Sequence, residues 1–140
     1  MTDHTILRVV SKVILPYVLL FALYVQFHGD YGPGGGFQAG VIFAAGFVLY
    51  GLIYGLAAVR RVAPPRVIEI LVSLGVLLYA GTGVLTMLRG GNFLDYGALN
   101  PLHPAEGQHL GILVVELGVG ITVASVMIAI YSTFAGRGRA

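Results

Sequence analysis

The chain has 140 residues, 57% of them hydrophobic and 10% charged, with a mean hydropathy of +0.89. A soluble domain carries about 25% charged residues, so this composition excludes a water-facing globular protein and implies an integral membrane one. The absence of Cys excludes disulfides, a thiolate nucleophile and Cys-based zinc or iron–sulfur sites, and a formal net charge of only +2, with the Arg residues at the ends of apolar runs, argues against nucleic acid as a partner.

Four apolar segments approach or exceed the roughly 20 residues that cross the hydrocarbon as a helix. They lie near residues 6–27, 37–59, 67–88 and 109–134, with outside loops at 28–36 and 89–108. Period-2 alternation, the mark of an outer-membrane barrel, is absent. The first segment is too long for the apolar core of a signal peptide and no A-x-A-like site follows it. The expected fold is therefore an all-α integral membrane protein, a single membrane domain over residues 1–140.

The first helix opens with Arg8 and Lys12, and Pro16 inside it predicts a kink. The loop that follows contains Pro33-Gly34-Gly35-Gly36-Phe37-Gln38. A dinucleotide fingerprint would need a preceding strand and a later acid, and a Walker A loop would need a Lys, so nucleotide is excluded. Two readings are open: a tight reversal in which Gly supplies positive φ, or irregular backbone whose carbonyls line a cation path. Phe37 and Gln38 would fix the start of the second helix against a partner.

Along the second helix Gly40, Ala44, Gly51 and Gly55 form a stripe of small residues, the pattern by which helices approach closely in lipid. Ser73, Gly75, Thr82, Gly83 and Thr86 supply the same vocabulary on the third. Glu69, near the start of that helix, is three residues from Arg66, and an interfacial ion pair accounts for it. The second outside loop brings His103, Glu106 and His109 together without a metal-ligand spacing. On the fourth helix Gly111 and Gly118 mark one face, Gly120 and Ala124 another. Small residues on more than one side predict neighbours beyond the chain's own helices.

Glu116 is the outstanding polar residue. An ionisable group inside the hydrocarbon needs a partner, a wet cavity or a proton. With His109 at the rim of the same face it forms part of a proton or cation path, or it is a protonated Glu bonded to a neighbouring helix; the residues alone leave both open. Arg8, Lys12, Arg60, Arg61, Arg66, Arg137 and Arg139 fall on one side of a four-helix path and Arg89 alone on the other, with Asp30, Asp95 and Glu106. The positive-inside rule then makes both termini cytoplasmic. No catalytic constellation occurs, so an enzyme is not expected.

Residues 33–47, PGGGFQAGVIFAAGF, and 109–123, HLGILVVELGVGITV, resemble the B subunit of the multisubunit Na⁺/H⁺ antiporters of the Mrp or Mnh type. The resemblance covers nearly the whole chain. It implies a small subunit of a prokaryotic plasma-membrane complex, related to the membrane arm of respiratory complex I. Such a complex exchanges cytoplasmic Na⁺ for external H⁺ at the expense of the proton-motive force. The partners it implies are large antiporter-like subunits, other small membrane subunits and the bilayer; it implies no cofactor beyond the transported Na⁺ and H⁺, and no metal centre. It singles out Pro33 to Gln38, His109 and Glu116, with Gly118 and Gly120 beside them. Two alternatives stand: the equivalent subunit of a membrane-bound hydrogenase or another complex I relative, and a freestanding homo-oligomeric four-helix cation transporter.

Overall fold

The structure, a computed structural model, describes residues 4–29 and 31–137. Asp30 and Arg139 of the charge pattern lie outside the described residues. The elements are α1 (Thr5–His28), α2 (Gly36–Tyr54), α3 (Leu56–Val62), α4 (Pro65–Leu88), a 3₁₀ turn at Tyr96–Leu99 and α5 (Pro104–Gly136). There is no strand among the described residues. α1, α2, α4 and α5 are each long and apolar enough to cross a membrane.

Apolar patterning alone locates these helices, and local chemistry sets their ends. α1 continues through Pro16. The run over 37–59 reads as one helix, but the chain breaks at Gly55, where φ is 89°. The Gly55 N–H closes the last turn on the Gly51 carbonyl at 2.9 Å, and only glycine holds that positive φ without a Cβ clash. α3 then resumes at the membrane end, burying Leu56 and Val59. α5 begins at Pro104, ahead of the hydropathy boundary at 109, because Pro is pre-organised for the first helical turn and Glu106 suits the positive end of the helix dipole.

The spanning helices pack in a row, α1–α2–α5–α4, with α5 inside it. Glycines set both of its contacts. A Cβ on Gly75 of α4 would stand 2.7 Å from the Gly118 carbonyl, and one on Gly118 would stand 2.9 Å from the Gly75 carbonyl. On the opposite side a Cβ on Gly40 of α2 would stand 2.8 Å from the Gly120 carbonyl. Both glycine faces of α5 are thus consumed within the chain, so they do not require the outside neighbours that the pattern suggested. Gly51 receives the Tyr131 ring, and Ala44 is buried in the α2–α5 core with Ile128. Gly55 departs from the stripe: it lies beyond α2, and a side chain there would meet nothing within 4 Å.

Elsewhere the surface is greasy. Leu52 is 71% exposed and Leu88 80%, which water would penalise and lipid or a partner helix would not. Tyr54 at the end of α2 contacts Arg8 at the start of α1, and Arg60 reaches to within 3.4 Å of a Cβ on Gly136. The start of α1, the end of α2, α3 and the end of α5 therefore share one end of the bundle.

At the other end, residues 89–103 fold back over α4 and α5. The buried Thr86 hydroxyl is the knot: it lies 2.7 Å from the Gly83 carbonyl and 3.0 Å from that of Asn92, and it accepts the Leu94 N–H at 3.0 Å. That bond holds Leu94 at φ 62°. Phe93 lies against Gly83 and Tyr96 against Gly111, each ring occupying the space a side chain would need. Arg89 donates to the Leu99 carbonyl.

Candidate functional site

Between the α1–α2 loop and the α4–α5 loop sits the Glu116 carboxylate. α5 carries it to a point where α2 begins so close that a Cβ on Gly36 would overlap the Glu116 carbonyl. The first loop closes over the side chain. A Cβ on Gly29 would stand 2.7 Å from Glu116 Oε2 and 3.0 Å from Oε1, and one on Gly35 would stand 3.2 Å from Oε1. Gly35 has φ 135° and precedes α2, whose Ala39 N–H bonds back to its carbonyl at 3.0 Å. The Gly-rich stretch therefore turns the chain and also makes room for a carboxylate, a joint role that neither reading of the sequence supplied.

Other oxygens converge on this place. Gln38 Oε1 lies 3.4 Å from the same Gly35 Cβ position. Gln26 of α1 is only 7% exposed, and its Oε1 lies against Gly120, one turn of α5 beyond Glu116. From the second loop comes Tyr96. Burial pushes its hydroxyl above the ordinary tyrosine value, and the neighbouring Tyr79 and Glu116 push it the same way. At neutral pH Tyr96 is thus a neutral O–H beside the acid. Such a set of carboxylate, amide and phenol oxygens suits a proton or a hard monovalent cation.

The remaining candidates are distributed as follows. His109 is exposed at the same end and meets Tyr31 edge-on at 6.5 Å; Tyr31 in turn meets His28 at 6.3 Å, and His28 stacks on Tyr24 at 5.1 Å. Pro33 and Phe37 face outward, and a Cβ on Gly34 would stand 2.9 Å from the Val25 carbonyl. Glu69 is exposed toward the opposite end and is not brought near Glu116. The expected ion pair with Arg66 does not form among the described residues, since two exposed side chains gain about 1 kcal/mol or less from pairing and lose rotamer freedom. Asn100 Nδ2 donates to Glu106 Oε2 at 3.3 Å, and no three His, Cys, Asp or Glu side chains among the described residues gather as a metal site.

Gln26, His28 and Tyr96 are the residues the sequence reading missed. Gln26 had a signal: a lone amide on the Ala22–Gln26–Gly29 face of an otherwise apolar helix. Inward of Gln26 the polar character fades. A cavity of about 330 Å³ continues between the helices past Phe43, Ile121 and Ser125 to Ala63, with a largely apolar lining.

Residues 6–129 match the family model described as a domain related to the MnhB subunit of Na⁺/H⁺ antiporter. The putative antiporter subunit mnhB2 of Staphylococcus aureus is 32% identical over 136 residues in strains Newman, JH1 and COL, covering 96% of both chains. The chain belongs to the MnhB family. The matched region takes in α1 to α4, the α1–α2 and α4–α5 loops and most of α5, so Glu116 and its surroundings lie wholly within MnhB-like sequence. Both descriptions name these relatives as antiporter subunits.

Proposed function

We propose that this MnhB-type chain is a small subunit of a multisubunit plasma-membrane antiporter that exchanges cytoplasmic Na⁺ for external H⁺ using the proton-motive force, without a prosthetic group. In it, Glu116 takes up a proton or cation from the outer side, with His109 at the mouth and Gly29, Gly35 and Gln38 forming the cover. The observation that carries this reading is the carboxylate held under a glycine loop among amide and phenol oxygens. The apolar cavity below Gln26 supports a partial route, continued by other subunits, over one complete within this chain.

The test is Glu116→Gln and Glu116→Ala in a strain lacking the native complex. Gln keeps the shape and hydrogen bonding and removes the titratable charge. Both variants are expected to assemble, to lose most Na⁺-dependent proton exchange in inverted vesicles and to grow poorly in sodium at alkaline pH. Wild-type exchange by an assembled Glu116→Gln complex would reduce the residue to packing.

A further inference from the structure

We propose that Arg8, Lys12 and Tyr54 form a binding site for the headgroup phosphate of an anionic phospholipid. Arg8 and Lys12 are one turn apart on α1, and both swing over one ring. The Arg8 guanidinium carbon and Lys12 Nζ each lie 5.5 Å from the centre of the Tyr54 ring. The two cations are therefore no farther apart than twice that distance. Tyr54 cannot retreat, because its hydroxyl donates to the Arg8 carbonyl at 2.6 Å and Gly55 turns the chain away immediately after it.

Like charges one turn apart repel, and a ring face offsets this only in part. The described carboxylates do not relieve it: Asp95, Glu106 and Glu116 belong to the other end of the bundle, and Glu69 is on α4, across the row from α1. A phosphodiester drawn in by these two exposed, flexible side chains offsets that repulsion.

The surroundings select a lipid over an acidic protein segment. About a third of a turn around α1 from the two cations, its lipid-facing side is apolar, with Val13 59%, Tyr17 68% and Leu20 64% exposed. Acyl chains run down that side from a headgroup held at the end of the helix. Tyr54, at the very end of a spanning helix, stands at the level where aromatic and basic side chains meet lipid headgroups. The site depends on membrane embedding and stands apart from the antiport reading.

The experiment uses the intact complex, stripped of lipid in mild detergent and titrated with phosphatidylglycerol or phosphatidylcholine under native mass spectrometry. Wild type is expected to retain phosphatidylglycerol preferentially. Arg8→Gln/Lys12→Gln should bind one molecule fewer, or bind it about tenfold more weakly. Arg8→Lys/Lys12→Arg, which keeps both charges, should behave as wild type, and inorganic phosphate should leave the lipid in place. Equal retention of the two lipids by wild type overturns the proposal without reference to any variant. So do undiminished binding by the double-Gln complex, displacement by inorganic phosphate, and release of a partner subunit from that complex with its lipid unchanged.

Discussion

At the scale of single residues, the glycines of this chain divide by what surrounds them, and their number in the sequence does not reveal the division. Gly36 and Gly81 are the extremes. A methyl group on Gly36 would overlap the backbone of Glu116, which cannot rotate away, whereas one on Gly81 would meet nothing within 4 Å. Gly36→Ala should therefore cost about 3 kcal/mol, in the range of severe overpacking. Gly81→Ala should be neutral or gain about 0.5–1 kcal/mol from helix propensity. Thermal stability of the detergent-solubilised complex, followed by gel filtration of a tagged chain, measures both; equal melting of the two variants would mean that α2 and α5 are not in backbone contact at Gly36. Thr86 presents the polar counterpart. Its fully buried hydroxyl serves the Gly83 and Asn92 carbonyls and the Leu94 N–H. Thr86→Val keeps the shape and leaves the Leu94 N–H without its acceptor, while the Asn92 carbonyl keeps the Asp95 N–H, at a cost of about 1–3 kcal/mol. The loss should appear as faster hydrogen exchange at Leu94 with little change in the helices.

At the scale of elements, the loop between α4 and α5 behaves as a cover whose hold depends on Tyr96. Its hydroxyl is pushed above the ordinary value, first by burial and then by Tyr79 and Glu116. For an acid whose folded pKa is raised, the stabilisation is fully present below the unfolded value, about 10 for Tyr. It is lost as pH climbs through the folded value. The loop should therefore stay closed through the alkaline range in which cells meet sodium stress and loosen only above about pH 10. Tyr96→Phe should remove that step from the stability profile, and the wild-type minus Tyr96→Phe difference in tyrosinate absorbance should titrate above 10. A midpoint at or below 10 would contradict the burial of this ring. The place of this loop was legible but its folded path was not, because Phe93 and Tyr96 find their glycine seats, Gly83 and Gly111, across different helices, and no local period encodes such a match. The break at Gly55 was hidden for another reason: hydrophobicity continues through it, and only a backbone angle marks the end of α2.

At the scale of the whole molecule, the spanning segments were legible because bilayer thickness imposes a length and an apolar content that any reading of 140 residues detects. The order of the row was not legible, since α5 carries glycine on two faces and the sequence cannot tell an internal neighbour from an external one. The Glu116 pocket was half legible: a lone acid in an apolar helix stands out, but the α1 amide and the loop tyrosine that complete it come from elsewhere in the chain. Orientation is the remaining step. Arg8, Lys12, Arg60, Arg61, Arg66 and Arg137 belong to the end of the bundle where α1 starts and α5 finishes. Arg89, the exception at the other end, donates to the Leu99 carbonyl and stands alone against those six, so the asymmetry that sets topology persists. The basic end should face the cytoplasm and Glu116 should open to the outside, as proton entry from outside requires. The chain has no cysteine of its own, which gives a clean background for labelling. Leu102→Cys, at a position 87% exposed, should react with a membrane-impermeant maleimide in intact cells, while Arg61→Cys should react only after permeabilisation. The opposite pattern would place Glu116 on the cytoplasmic side and reverse the direction in which this subunit could pass a proton.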